Sequence, residues 1–221
     1  MEIVDSILGF GGHGPLDPSY VVIHETAGPG APATNLVSWW RNGGGLPVHY
    51  VGDWTGKAYY CVPEDEVCWQ VGNGNPYVVG IELCHATNQA DFEKVWQLGV
   101  EWAAWQLSKR GWGTDRLISH YDCIGMWGGT DHTDPIGYFE EFGRTWDDFV
   151  LDVQLEMEGE MAIDYDLLAD RIVDKFMRYN LTGDNGYKAD IGQRICRMDD
   201  KTQACVDSLN AIKKNTAKSA K

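Results

Sequence analysis

Three side chains in this chain stand where apolar runs stop, and their types suit metal chemistry. Residues 20–23 are Tyr-Val-Val-Ile and end in His24; residues 116–119 end in His120. A loop then carries Thr130-Asp131-His132-Thr133-Asp134-Pro135. Two imidazoles at strand ends and a carboxylate on a loop make a sensible zinc site, because catalytic zinc takes three protein ligands and leaves a position open. His24, His120 and Asp134 supply that set. They are far apart in sequence, so a fold has to gather them.

Each candidate has a plainer reading. A histidine at a strand end is usually just hydrogen-bonded. Glu82, an acid inside the apolar run Val78-Val79-Gly80-Ile81-Glu82-Leu83, could pair with a neighbouring base, although burying it is costly without a partner or a metal. His132 and Asp134 could be turn formers ahead of Pro135. The functional reading rests on their joint occurrence.

The elements that must position these residues alternate. Residues 20–24 read as a buried strand. Thr34 looks like the N-cap of a short helix through Leu36-Val37-Ser38-Trp39-Trp40, stopped by Gly43-Gly44-Gly45. Residues 48–52 and 58–62 flank Asp53-Trp54-Thr55-Gly56 and suggest a hairpin. Residues 78–83 form a strand. Residues 91–110 form a helix with Phe92, Val95, Trp96, Gly99, Trp102 and Ala103 on one face. A strand at 116–119 and a helix near 145–157 complete the set. The expected fold class is α/β (α+β), a central mixed β-sheet flanked by helices, with a small C-terminal helical region.

Composition divides the chain. All 10 tryptophans and all 6 histidines precede residue 150. The expected domains are residues 1–155, carrying the site, and a helical region at 161–221. Within that second region Ile191, Ile195, Met198, Thr202, Cys205, Leu209 and Ile212 alternate spacings of four and three. A helical hairpin packed on itself and an oligomerising coiled coil both fit that seam. The formal charge of -15 argues against nucleic acid, whose binding depends on phosphate neutralisation. It leaves neutral sugars, peptides or cationic surfaces as partners. No apolar run approaches membrane-spanning length, and the first residues lack the basic and apolar regions of a secretory signal. The six cysteines show no metal-binding pair spacing and read as reduced thiols, with a Cys61–Cys68 disulfide as the minor alternative.

Four motifs in order carry a family resemblance. They are Val22-Ile23-His24-Glu25-Thr26-Ala27; Val48-His49-Tyr50-Val51; Val79-Gly80-Ile81-Glu82-Leu83; and Ile118-Ser119-His120-Tyr121-Asp122 with His132-Thr133-Asp134-Pro135. Over roughly residues 18–150 the chain resembles the zinc-dependent N-acetylmuramoyl-L-alanine amidases of the amidase-2 and peptidoglycan-recognition-protein superfamily, phage endolysins especially. The resemblance implies Zn2+ held by His24, His120 and Asp134, with Glu82 as the acid beside the attacking water. His132 falls where many members have lysine. Trp69 and Trp127 are the aromatics expected along a substrate groove, though Gln70 stands where histidine is frequent and Glu25 departs from the common His-His-Thr pattern. The implied partner is bacterial peptidoglycan. The implied protein is made in a host cytoplasm without a signal peptide and reaches the wall by holin-type release, with oligomerisation through residues 161–221 an option. Two rivals stay open: a non-catalytic peptidoglycan-recognition module, and a zinc peptidase cutting within the stem peptide.

Overall fold

The computed structural model describes residues 1–159. The expectations for residues 161–221, including the heptad seam and its oligomerising role, lie outside the described residues. Six strands form one sheet: β1 (Glu2–Asp5), β2 (Tyr20–Glu25), β3 (Tyr50–Gly52), β4 (Lys57–Tyr60), β5 (Val78–Leu83) and β6 (Leu117–Ser119). Their spatial order is β1-β4-β3-β5-β2-β6. Only the β3–β4 pairing is antiparallel, and its turn is the Asp53–Gly56 segment expected for a hairpin. The fold is α/β, with a mixed sheet, as expected.

The central strands β2 and β5 are covered on both faces, which is why they read as continuous apolar runs. Val21, Ile23, Val79, Ile81 and Leu83 face one way. They pack under α2 (Gln89–Ser108), with α5 (Trp146–Glu158) layered beyond it and Phe92, Trp96, Trp102 and Phe149 in the same core. Gly99 lets α2 approach closely, since a Cβ there would stand 3.0 Å from Leu83 and 3.2 Å from Phe149. Asn88 caps α2 by accepting from Asp91 N–H, and Thr145 with Asp148 forms a capping box on α5.

The opposite face is split. Towards β3, α1 (Ala33–Arg41) packs Ala33, Val37 and Trp40 on Val48, Val51, Cys61 and Cys84. Towards β6, α3 (His120–Met126) and the 3-10 turn Gly72–Tyr77 cover Val22, Val78 and Ile118. His24 and its register partner Glu82 lie on this face of the sheet, where His24 and His120 are buried.

Several local expectations need correction. The helix at α1 starts at Ala33, with Pro32 in the cap position and no side-chain cap bond; Thr34 therefore lies inside the first turn. His120 does not close a strand, since β6 ends at Ser119. His120 opens α3, because Ser119 accepts from Asp122 N–H while the Asp122 carboxylate accepts from Ser119 N–H. β1 and the short helix α4 (Ile136–Glu141) had no legible pattern. Cys61, Cys68, Cys84 and Cys123 are free buried thiols, so the disulfide alternative is not realised. Among the described residues no helix is long and apolar enough to cross a membrane.

Candidate metal centre

His24 is delivered by the last turns of the β2 ladder and is buried, 2% exposed. His120 is delivered by the end of β6 and fixed by the α3 cap. Asp134 comes from the loop before α4, which is tied back to α3 where Tyr121 N–H donates to the Asp134 carbonyl oxygen at 3.2 Å. The three side chains converge, their ligand-capable atoms all lying within 4.8 Å of one another. Nδ1 of His24 stands 2.9 Å from Nδ1 of His120. Asp134 Oδ2 is 3.3 Å from His24 Nδ1, and Oδ1 is 3.1 Å from His120 Nδ1.

Neighbouring groups hold the donors in place. Thr130 Oγ1 lies 2.8 Å from His120 Nε2 and accepts from His132 N–H. Glu25 N–H donates to Asp134 Oδ2 at 3.2 Å. Burial alone would raise the Asp134 pKa, but the hydrogen bonds and charges of His120 and His24 outweigh it and keep the carboxyl ionised far below the usual range. Burial lowers His24, against the attraction of Asp134. A buried imidazole pair with facing Nδ1 atoms and an ionised carboxylate leaves lone pairs pointed at a common centre. That donor set, two nitrogens and one oxygen, fits a divalent cation of the zinc type. His24 Nε2 is itself buried without a hydrogen-bond partner.

Glu82 stands beside the cluster through its register with His24. The residue keeps some exposed surface, yet its Oε2 is sealed and has no hydrogen-bond partner. Burial, with Asp134 and Glu25 adding like charge, pushes the carboxyl up to about 8. His132 is at the rim: its side chain is 68% exposed, its Nδ1 is 3.8 Å from Asp134 Oδ1, and its ring centre is 4.9 Å from that of His120.

The two tryptophans differ. Trp69 is 52% exposed and stacked on His13 at 3.7 Å, which leaves an aromatic face open. Trp127 is partly buried, stacked on Tyr77 and edge-on to Tyr20, with its ring over Gly74; packing accounts for its position. His49 is buried between backbone groups, and burial pushes it down to about 4. His85 bridges Glu25 at 2.9 Å and Glu141 at 3.2 Å. Sequence reasoning did not single out Thr130, the Glu25 amide or the Gln70 contact to His49. Only Gln70 left a trace, as the residue standing where the resembled family frequently has histidine.

A parallel-centred α/β sheet bearing a His-His-Asp cluster that could hold a metal ion, beside a largely buried acid, defines the class: a domain with a candidate metal centre. The N-acetylmuramoyl-L-alanine amidase family matches residues 14–137, and the chain belongs to that family. The bifunctional autolysin of Staphylococcus aureus is 28% identical over 158 residues, 66% of this chain. The chain spans only 13% of that relative's length. Among solved structures, a Staphylococcus aureus hydrolase, AmiA, in complex with its ligand superposes with TM-score 0.62 at 24% identity, covering 69% of this chain and 82% of that one. The catalytic domain of XlyA gives TM-score 0.56 at 23% identity, covering 69% and 99%. These superpositions establish a shared fold.

Proposed function

We propose that this chain hydrolyses the amide bond between the lactyl group of N-acetylmuramic acid and L-alanine of the peptidoglycan stem peptide, with zinc held by His24, His120 and Asp134. The observation that carries this reading is the convergence of those three side chains, within 4.8 Å, beside the sealed carboxyl of Glu82. Family membership supplies the substrate class. When bound, zinc supplies Lewis-acid polarisation of the scissile carbonyl and acidifies water.

The chain's own residues do the rest. Glu82, standing beside the cluster through its register with His24, accepts a proton from water and returns it to the departing alanine amine. His132, exposed at the rim, donates a hydrogen bond to the carbonyl oxygen as negative charge grows there. Asp134 stays ionised and balances the cation. Trp69 offers its exposed ring to a sugar or peptide face, whereas Trp127, expected beside it, is held by packing on Tyr77 and Tyr20. The endolysin-type resemblance extends the proposal to a phage or prophage lysin released onto the wall of its host.

The test is digestion of soluble muramoyl peptides followed by mass spectrometry. Free lactyl carboxyl groups together with intact stem peptides beginning at L-alanine are the expected products. Shortened stem peptides would instead identify a peptidase, and retained binding with no mass change would identify a recognition module.

A further inference from the structure

Gln70 connects the metal centre to the backbone through a chain whose polarity can be worked out atom by atom. Its Nε2 lies 3.3 Å from the carbonyl oxygen of Val78. A carbonyl only accepts, so the nitrogen end of the amide must face it. The same Nε2 lies 3.3 Å from His49 Nδ1, which also receives Gly80 N–H at 3.2 Å. His49 Nδ1 therefore carries no proton. The proton is on His49 Nε2, which donates to the Glu66 carbonyl oxygen at 2.9 Å. Three backbone groups thus fix the Gln70 amide and the His49 ring.

With its nitrogen assigned, the amide oxygen has one direction left. It lies over Gly80, where a Cβ would meet Gln70 Oε1 at 2.2 Å and Val22 Cγ1 at 2.8 Å. Glycine at 80 is what gives the amide its room. Gly80 is the register partner of Val22, and His24 is the next residue on that face of β2. Gln70 Oε1 and His24 Nε2 are both buried and without a hydrogen bond of normal geometry. An orphaned acceptor and an orphaned ring nitrogen thus lie on the same face of the sheet.

We propose that Gln70 is a positioning residue for His24, its Oε1 accepting the Nε2–H and thereby holding the tautomer whose Nδ1 lone pair faces His120 and Asp134. Only that tautomer offers Nδ1 to a cation without first losing a proton. Groups that orient ligating histidines in this way commonly alter metal affinity 10–100-fold when removed. This inference deepens the zinc-amidase reading and rests on it for its consequence, while the tautomer itself can be observed without metal.

Nitrogen NMR of the metal-free wild-type chain above pH 7 reads the tautomer directly. The expected result is a protonated Nε2 and a bare Nδ1 on His24; a protonated Nδ1 overturns the proposal. In Gln70→Leu the affinity for zinc, measured by competition with a chromophoric chelator, should fall about 10–100-fold, and Gln70→Glu, which restores an acceptor, should recover most of the loss. Unchanged affinity in a folded Gln70→Leu chain also overturns it, and if that variant does not fold the wild-type tautomer decides alone. A wild-type chain with protonated Nε2 that binds no zinc would contradict the amidase reading while leaving the tautomer assignment standing.

Discussion

Glu82 concentrates the conflict between stability and chemistry in a single carboxyl group. Buried beside Asp134 and Glu25, its pKa is pushed up to about 8, so in the metal-free fold it keeps a proton that the unfolded chain has already released. Between its unfolded pKa near 4.5 and about 8, the native state binds more protons than the unfolded state, and stability falls as pH rises. Metal-free Glu82→Gln should therefore lose less stability than wild type between pH 5 and pH 8, as thermal melts would register. The same substitution should retain zinc yet lower hydrolysis of soluble fragments about 10²–10⁴-fold, the usual share of general acid–base catalysis; unchanged turnover would remove Glu82 from the mechanism. Glu82 was legible in the sequence because an acid inside an apolar strand contradicts its surroundings. Gln70 was not, because its meaning depends on which residue stands across the sheet from Gly80.

Elements place the ligands as firmly as the ligands' own contacts do. His120 is the first residue of α3, so the Ser119–Asp122 capping box sets both the helix start and the direction of the imidazole. Ser119→Ala should cost about 1 kcal/mol of stability, the usual worth of such a cap, and should weaken zinc binding as well; a chain with the stability loss but unchanged metal affinity would separate the two roles. A second device ties the β4-side loop to the end of α2. Glu64 accepts from Lys109 at 2.7 Å, Arg110 at 2.6 Å and Tyr50 at 2.6 Å. Burial would raise its pKa, but Lys109, Tyr50 and Gln106 outweigh it and hold the carboxyl down at about 2. Lys109 is lowered by its own burial despite Glu64, so Glu64 is the better-stabilised partner of the two. Because Glu64 is depressed, its contribution is complete above pH 4.5 and lost as pH falls towards about 2. Glu64→Gln should destabilise the domain by about 1–3 kcal/mol at neutral pH and flatten that acid limb in denaturant titrations. Strand and helix periodicity made α2, β2 and β5 readable in advance. The starts of α1 and α3 were less so, because a proline cap and a helix beginning on the ligand itself leave no periodic signal.

At the scale of the whole molecule, the described domain owns its core, its sheet and every candidate ligand. A chain ending after residue 159 should therefore still hydrolyse soluble muramoyl peptides, while wall binding or subunit number changes; loss of soluble-fragment turnover would show that the tail completes the catalytic unit. The α/β class, the order of the motifs and the gathering of His24, His120 and Asp134 could be anticipated, since four ordered motifs constrain a fold more than any one does. The hydrogen-bond chain proposed behind His24 could not, because it runs through backbone groups that every sequence possesses. The most direct test of the account is zinc content after reconstitution and exhaustive dialysis, wild type against Asp134→Ala. About one zinc per wild-type chain and next to none in the variant is the predicted result; equal zinc in both, or none in either, would contradict it.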